Sequence, residues 1–132
     1  IMIDLTGLKD GGTAGDIIGK DGSGVAFIGQ VTTANQGTVF GVTMTCVETP
    51  AGGSTDIDLF SATEGTGVND TAIGDLTETQ IINAGAASAG TVVAGGDIAA
   101  DQFLYLVSQG TGDATYTAGR FLIEITGFDA AS

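Results

Sequence analysis

The sequence predicts an all-β protein: an antiparallel β-sandwich, jelly-roll-like, with an extended N-terminal arm. Runs of β-branched and aromatic residues alternate with clusters of Gly, Asp, Asn and Ser, which is typical of short strands joined by turns. Gly, Thr and Ala supply 23, 19 and 17 of the 132 residues, and there is a single Pro. No segment shows a convincing amphipathic helical period. The length suits one domain with a modest core.

The first 24 residues predict an arm rather than a strand-rich region. Seven of them are Gly, and apart from Leu8 the large apolar residues fall in two short groups, residues 1–5 and 17–18. Residues 1–20 contain three Asp and two Lys, a net charge of −1 out of −13 for the whole chain, which leaves −12 for the remainder. We therefore divide the chain into an extended N-terminal arm, residues 1–24, and a single acidic β-sandwich domain, residues 25–132.

The clearest predicted strand is Thr38–Glu48. Apolar side chains occur there at every second position, Phe40, Val42, Met44 and Cys46, so they are expected on one inner face. A thiol at such a position is expected to act as a small hydrophobic filler.

The remaining strands are predicted by shorter runs. In the run Asp56–Phe60, Ile57 and Leu59 alternate with two carboxylates, which indicates a half-exposed strand. Residues 61–75 and 85–90 are expected to be loops because they are rich in Gly, Asn, Asp and Ala without periodicity. The other predicted strands are Val25–Val31, Glu78–Asn83, Thr91–Ala94, Phe103–Ser108 and Arg120–Thr126.

Charge and composition exclude several classes of function. Sixteen acidic residues against three basic ones give a net charge of −13, which repels nucleic acid and anionic lipid surfaces. No run of apolar residues is long enough to span a membrane. The chain has no His and one Cys, so the commonest general base, the usual zinc ligand sets and an internal disulfide are missing. We expect a protein without catalytic activity that binds neither nucleic acid nor membrane.

The acidic residues admit two functional interpretations. Asp in Gly-rich loops can supply oxygen ligands to calcium, and the segments Asp16–Asp21, Asp70–Asp75 and Asp97–Asp101 are candidates. None has the ordered spacing of a known calcium loop, so solvated turn residues are the preferred interpretation and no cofactor is expected. A hydrolase that uses Asp56, Asp58 or Glu64 is a weaker alternative, because it requires a cleft that the sequence does not indicate.

Two segments carry a resemblance to a known group of proteins. Asp101–Ser108 and Tyr116–Phe128 resemble a "Y-L" strand followed by "Y-T-A-G-[KR]-F" and a final apolar strand in virion proteins of tailed phages, especially cyanophages. Asp56–Thr66 is similar to the "I-x-L-[FY]-x-A-T-x-G-T" segment of the same group. The resemblance covers about half of the chain.

The resemblance implies a capsid decoration, or cement, protein on the outer surface of the virion. Such a protein binds the major capsid protein, is commonly a homotrimer, and has no catalytic motif. Arg120, the only basic residue after position 24, is expected to pair with a carboxylate such as Glu124 or to anchor a subunit contact. The expected contacts of the arm with the capsid or a neighbouring subunit are Ile1, Met2, Ile3, Leu5, Leu8, Ile17 and Ile18.

A second function remains open from the sequence. The Gly-, Thr- and Ala-rich sequence is also similar to receptor-binding or glycan-binding β-modules of phage tail fibres or spikes, in which acidic loops would hold calcium. The two hypotheses differ in position on the virion, since decoration proteins are present in many copies on the head and fibre tips in few.

Overall fold

The computed structural model describes residues 1–129 and consists almost entirely of antiparallel β-structure. One helical turn, α1 (Thr33–Gln36), precedes the longest strand, and a 3-10 turn spans Ile73–Asp75. The strands are β1 (Met2–Asp4), β2 (Asp16–Ile17), β3 (Gly29–Gln30), β4 (Thr38–Ala51), β5 (Ile57–Ala62), β6 (Glu78–Ile82), β7 (Val92–Gly95), β8 (Phe103–Ser108) and β9 (Ala118–Phe128). The predicted all-β sandwich is confirmed.

The strands form two sheets. The first sheet has the order β1-β9-β4-β7, and the second has the order β2-β8-β5-β6. The short strand β3 also pairs with β8, at the opposite end of β8 from β2. Every strand pair is antiparallel.

The main core lies between the two sheets. On β4, Val42, Met44 and Cys46 are buried at every second position, as the sequence pattern predicts. They belong to one cluster with Leu59 of β5 and Leu106 of β8, so inner faces of both sheets contribute. Burial of each such side chain stabilises the fold by about 1.5–3 kcal/mol.

A second cluster covers the outer face of the second sheet. It contains Phe60 and Tyr105 from that face together with Ile73 from the loop between β5 and β6. We call this loop, residues 63–77, the loop layer. It lies close to the sheet: the Gly67 N–H donates to Tyr105 Oη at 3.1 Å, and Tyr105 Oη donates to the Glu64 carbonyl at 2.7 Å.

The structure corrects the prediction of a half-exposed strand at residues 56–60, because the loop layer packs on the outer face of β5. All six residues of β5 are buried, including Asp58 at 1% exposure. The Asp58 carboxylate remains stable there because it accepts hydrogen bonds from Gln80, Gln109 and the Ala84 N–H at 2.9–3.1 Å. The chain itself therefore covers both faces of the second sheet at β5 and β8, whereas Glu78–Gln80 of the edge strand β6 are exposed.

The predicted extended arm is wrong in this structure, because residues 1–24 belong to the sandwich. Met2–Asp4 pair with Arg120–Leu122 of β9, and β2 pairs with β8. Leu5 and Ile18 lie in the main core, and Asp10 at 1% exposure accepts hydrogen bonds from the Ser54 and Ala114 N–H groups. The predicted domain boundary at residue 25 therefore does not separate two units, and residues 130–132 of the predicted domain lie outside the described residues.

Three local features differ from the predicted elements. Strand β4 continues through Pro50 to Ala51, where a register shift between Glu48 and Ala51 accommodates a residue without an N–H donor. The predicted strand over residues 25–31 is reduced to β3. The turn α1 was not predicted; it begins after Thr32, whose hydroxyl accepts from the Asn35 N–H at 3.3 Å.

Candidate interaction surface

The outer face of the first sheet is the sheet surface that the described chain leaves uncovered. We call it the open face; it consists of the outward side chains of β1, β9, β4 and β7. The strand register places Met2, Leu122, Thr45 and Val92 opposite one another in a single row across the four strands. Met2 and Val92 are 55% and 60% exposed. The row places three apolar side chains and the Thr45 side chain on a surface that faces solvent.

Two bulges on β4 add further apolar side chains to this face. The register between β4 and β9 shifts by one residue between Val39 and Gly41, and again between Cys46 and Glu48. The extra residues are Phe40 and Val47, which are 58% and 46% exposed. A bulge redirects side chains relative to the regular alternation of a strand. Phe40 therefore does not occupy the inner face that its period-two spacing predicts.

An aromatic pair marks one end of the open face. Phe40 and Phe128 lie with ring centroids 6.0 Å apart at an interplanar angle of 42°. Phe128 is 51% exposed and pairs with Thr38 at the start of β4. The pairs Gly41–Thr126 and Thr43–Glu124 lie between these rings and the Met2–Val92 row, so the open face carries two separate apolar patches. Exposed apolar groups clustered on one face are typical of a protein–protein contact.

An ion pair lies at the other end of the open face. Arg120 Nε is 3.5 Å from Asp4 Oδ2, and both side chains are about half exposed. The Thr6 N–H donates to Asp4 at 3.0 Å, and this hydrogen bond together with Arg120 lowers the pKa of the Asp4 carboxyl. The structure thus pairs Arg120 with Asp4 of β1, and not with the predicted Glu124. Because the pair is exposed, it contributes little to stability, and the guanidinium stays accessible to a partner.

The structure separates the predicted contact residues into two groups. Leu5, Ile17 and Ile18 are at most 2% exposed, and Ile3 and Leu8 are half-buried against the main core. These five side chains stabilise the fold and do not reach a partner in this conformation. Ile1, Met2 and Arg120 are exposed, and the latter two lie on the open face.

Sequence reasoning missed four residues of the open face: Phe40, Val47, Val92 and Phe128. Their exposure depends on which sheet face the chain covers elsewhere and on two register shifts, neither of which is a local property of the sequence. The one available signal was Val39-Phe40, where two large apolar residues are adjacent and cannot both follow a period of two.

The candidate calcium segments are only partly brought together. Asp70 Oδ1 accepts from the Gly12 N–H at 2.9 Å and Asp16 Oδ2 from the Thr13 N–H at 2.9 Å, and the two carboxyl groups face each other. Burial, and then the neighbouring Asp70, raise the pKa of Asp16. Within residues 1–129, no group of three or more His, Cys, Asp or Glu side chains has an arrangement that could hold a metal ion.

The carboxylates of the weaker hydrolase alternative do not share a cleft. Asp58 is buried with three hydrogen-bond donors, whereas Glu64 holds the loop layer through Thr77, whose N–H and hydroxyl donate to it at 2.8 and 2.6 Å. Asp56 Oδ1 is buried without a hydrogen-bond partner in the described part of the chain, and burial followed by the charge of Asp58 raises the pKa of Asp56. Cys46 is buried, and its thiol donates to the Glu48 carbonyl at 3.3 Å.

Two further findings concern membrane-spanning helices and similarity to known proteins. Across residues 1–129 there is no helix with the length and apolar character needed to cross a membrane. Comparison with known proteins gives no match to this chain, whether with family models, with curated sequences or with solved structures.

Proposed function

We propose that this chain is a capsid decoration protein of a tailed phage, which binds the outer surface of the head through the open face and stabilises contacts between major capsid subunits. The observation that carries the proposal is the asymmetry of the sandwich. The chain covers the outer face of the second sheet with its own loop layer, whereas the first sheet presents the row from Met2 to Val92 and the pair Phe40–Phe128.

The strand order supports a virion protein. The first strand pairs with the last and β2 pairs with β8, while β4 and β5 lie next to these pairs in the two sheets. We infer from this nested order the connectivity of a jelly roll, with β3 as an additional edge strand. Jelly rolls form viral capsid domains and lectins, so the fold favours both functions that the sequence leaves open. The resemblance of residues 101–108 and 116–128 to phage virion proteins favours the capsid.

The charge distribution also supports docking on a protein surface. A net charge of −13 keeps free copies apart, and it attracts a partner whose exposed rim is basic. Self-association into a homotrimer on the capsid lets each copy contribute a modest interface to a large total.

The test is the occupancy of particles by a charged variant of the open face. Val92→Lys places an ammonium group within the proposed contact, on the edge strand β7, where desolvation opposes binding, so occupancy at limiting protein falls at least about tenfold. Val25→Lys is the matched control, because Val25 is 52% exposed but lies outside the first sheet. Wild-type occupancy by the folded Val92→Lys variant contradicts the proposed docking face.

A further inference from the structure

One end of the sandwich opens into a cavity of about 420 Å³. It lies between the inner faces of the two sheets, where β4 begins and β5 ends, and the segment 97–102 and the turn α1 form its rim. Its volume is within the range of about 300–1,000 Å³ that is usual for small-molecule sites. The mouth of a β-sandwich or barrel is a common place for such a site.

The wall of this end cavity is rich in polar side chains that have no partner. Ser61, Thr79 and Thr38 contribute hydroxyl groups from three strands, and Asp97 and Gln102 contribute a carboxylate and an amide from the rim. Within residues 1–129, none of these five side chains makes a hydrogen bond or an ion pair. The residues come from separate parts of the sequence, so their convergence is a property of the fold.

Ser61 is the most informative member of this set because it is only 3% exposed. It lies directly opposite Thr79 in the β5–β6 pair, and both side chains line the cavity. By contrast, the buried residues Asp10 and Tyr116 have internal hydrogen-bond partners at 2.6–2.7 Å. The Ser61 hydroxyl group makes no hydrogen bond within residues 1–129 and is open to the cavity, so solvent or a ligand can supply its partner.

The remaining wall defines the chemistry of a ligand. Val39, Ile81 and Ile98 give the cavity an apolar side opposite its hydroxyl groups. A ligand that matches both sides carries several hydroxyl groups and an apolar C–H face. The carboxylate of Asp97 and the net charge of −13 disfavour an anion.

We propose that the end cavity binds a neutral sugar unit, with Ser61 at its base and Thr79, Asp97 and Gln102 at its rim. This goes beyond docking on a capsid and does not depend on it. The described lining contains no aromatic ring on which a sugar could stack, so the expected affinity for a single sugar is low, with a Kd of about 1 to 10 mM.

The experiment is a titration of the full chain, observed by two-dimensional amide NMR, with glucose, galactose and N-acetylglucosamine as separate probes. With each probe raised to about 50 mM, above the expected Kd, we expect at least one sugar to shift the amide signals of the cavity lining and to leave the open face unchanged. The absence of saturable shifts at the lining with all three probes overturns the proposal.

Variants distinguish specific binding in the end cavity from unspecific contact of the sugar with the protein surface. Ser61→Val and Asp97→Ala each remove a hydrogen-bonding group, and each is expected to weaken binding about fivefold or more. Asp97 is exposed, so its variant remains informative if Ser61→Val fails to fold. Thr43→Val, which lies on the open face opposite Glu124, is the matched control and keeps wild-type affinity. Equal affinity in Asp97→Ala, Thr43→Val and the wild type contradicts the assignment of the cavity.

Discussion

Asp16 is a carboxylic acid whose surroundings favour its protonated form. It is 5% exposed and lies beside Asp70, and burial and this neighbour raise its pKa above the ordinary value of 3.8. A folded-state pKa above the unfolded one means that the group stabilises the fold when protonated. This contribution is fully present below about pH 3.8 and is lost as the pH rises through the raised pKa.

The pH prediction concerns Asp16→Asn. An amide keeps an acceptor for the Thr13 N–H and carries no charge, so we expect the variant to be more stable than the wild type at pH 7 and not at pH 3. Glu64→Gln is the opposite control, because hydrogen bonds from Thr77 lower the pKa of Glu64 and make its charged form the favourable one. Urea denaturation at pH 3 and pH 7 measures the free energy of unfolding of each variant relative to the wild type. A stabilisation by Asp16→Asn that is the same at both pH values contradicts the account.

At the scale of elements, the strongest test concerns the N-terminal segment. Leu5, directly after β1, is fully buried in the main core, whereas Met2 at the start of β1 is 55% exposed. We expect Leu5→Ala to lower the free energy of unfolding by about 2–5 kcal/mol and Met2→Ala to change it by less than about 0.5 kcal/mol. Chemical denaturation measures both. Equal, small effects of the two substitutions would contradict the packed N-terminal segment and support the extended arm that the composition predicts.

The loop layer supplies a second element-scale prediction. A Cβ atom at Gly67 would lie 2.7 Å from Ile17 Cδ1 and 2.8 Å from Tyr105 Cε1, whereas one at Gly74 in the same loop meets nothing within 4 Å. Gly67→Ala is therefore expected to cost about 1–3 kcal/mol, because it separates the loop layer from the sheet. Gly74→Ala should be neutral or slightly stabilising. Thermal unfolding of both variants distinguishes them, and the same melting temperature for both refutes the close contact.

The elements differ in how far the sequence predicts them, for physical reasons. β8 has the predicted bounds, Phe103–Ser108, because an apolar run bounded by turn residues is a local signal. β1 and β2 were not predicted, since Met2 pairs with Leu122 and Ile17 with Val107, partners that are about a hundred residues away. The burial of Asp58 was missed for the same reason, as its cover comes from other segments.

The candidate surfaces follow the same division. Thr38–Glu48 correctly predicts an inner face at Val42, Met44 and Cys46, but the exposure of Phe40 depends on a bulge that no residue type announces. The end cavity brings together residues from position 33 to position 102, and no spacing in the sequence indicates that juxtaposition. Binding surfaces of this kind are properties of the assembled sheets.

At the scale of the whole molecule, the sandwich is asymmetric. The central strands of one sheet are covered on both faces. The other sheet presents the Met2–Val92 row, with an aromatic pair at one end of its open face and the Asp4–Arg120 ion pair at the other. Exposed apolar side chains do not stabilise a monomer, because they remain in contact with water. We therefore expect a partner to cover the apolar groups of the open face in this domain of 132 residues with a charge of −13. In the proposed function that partner is the major capsid protein.

The most direct test is cryo-electron microscopy of the native particle that carries this chain. The account predicts density on the outer shell, in many copies at three-fold or quasi-three-fold positions, with the open face turned towards the capsid and Val92 within the contact. Density confined to the tail would favour the receptor- or glycan-binding module, and density on the head with the open face turned to solvent would contradict the docking surface.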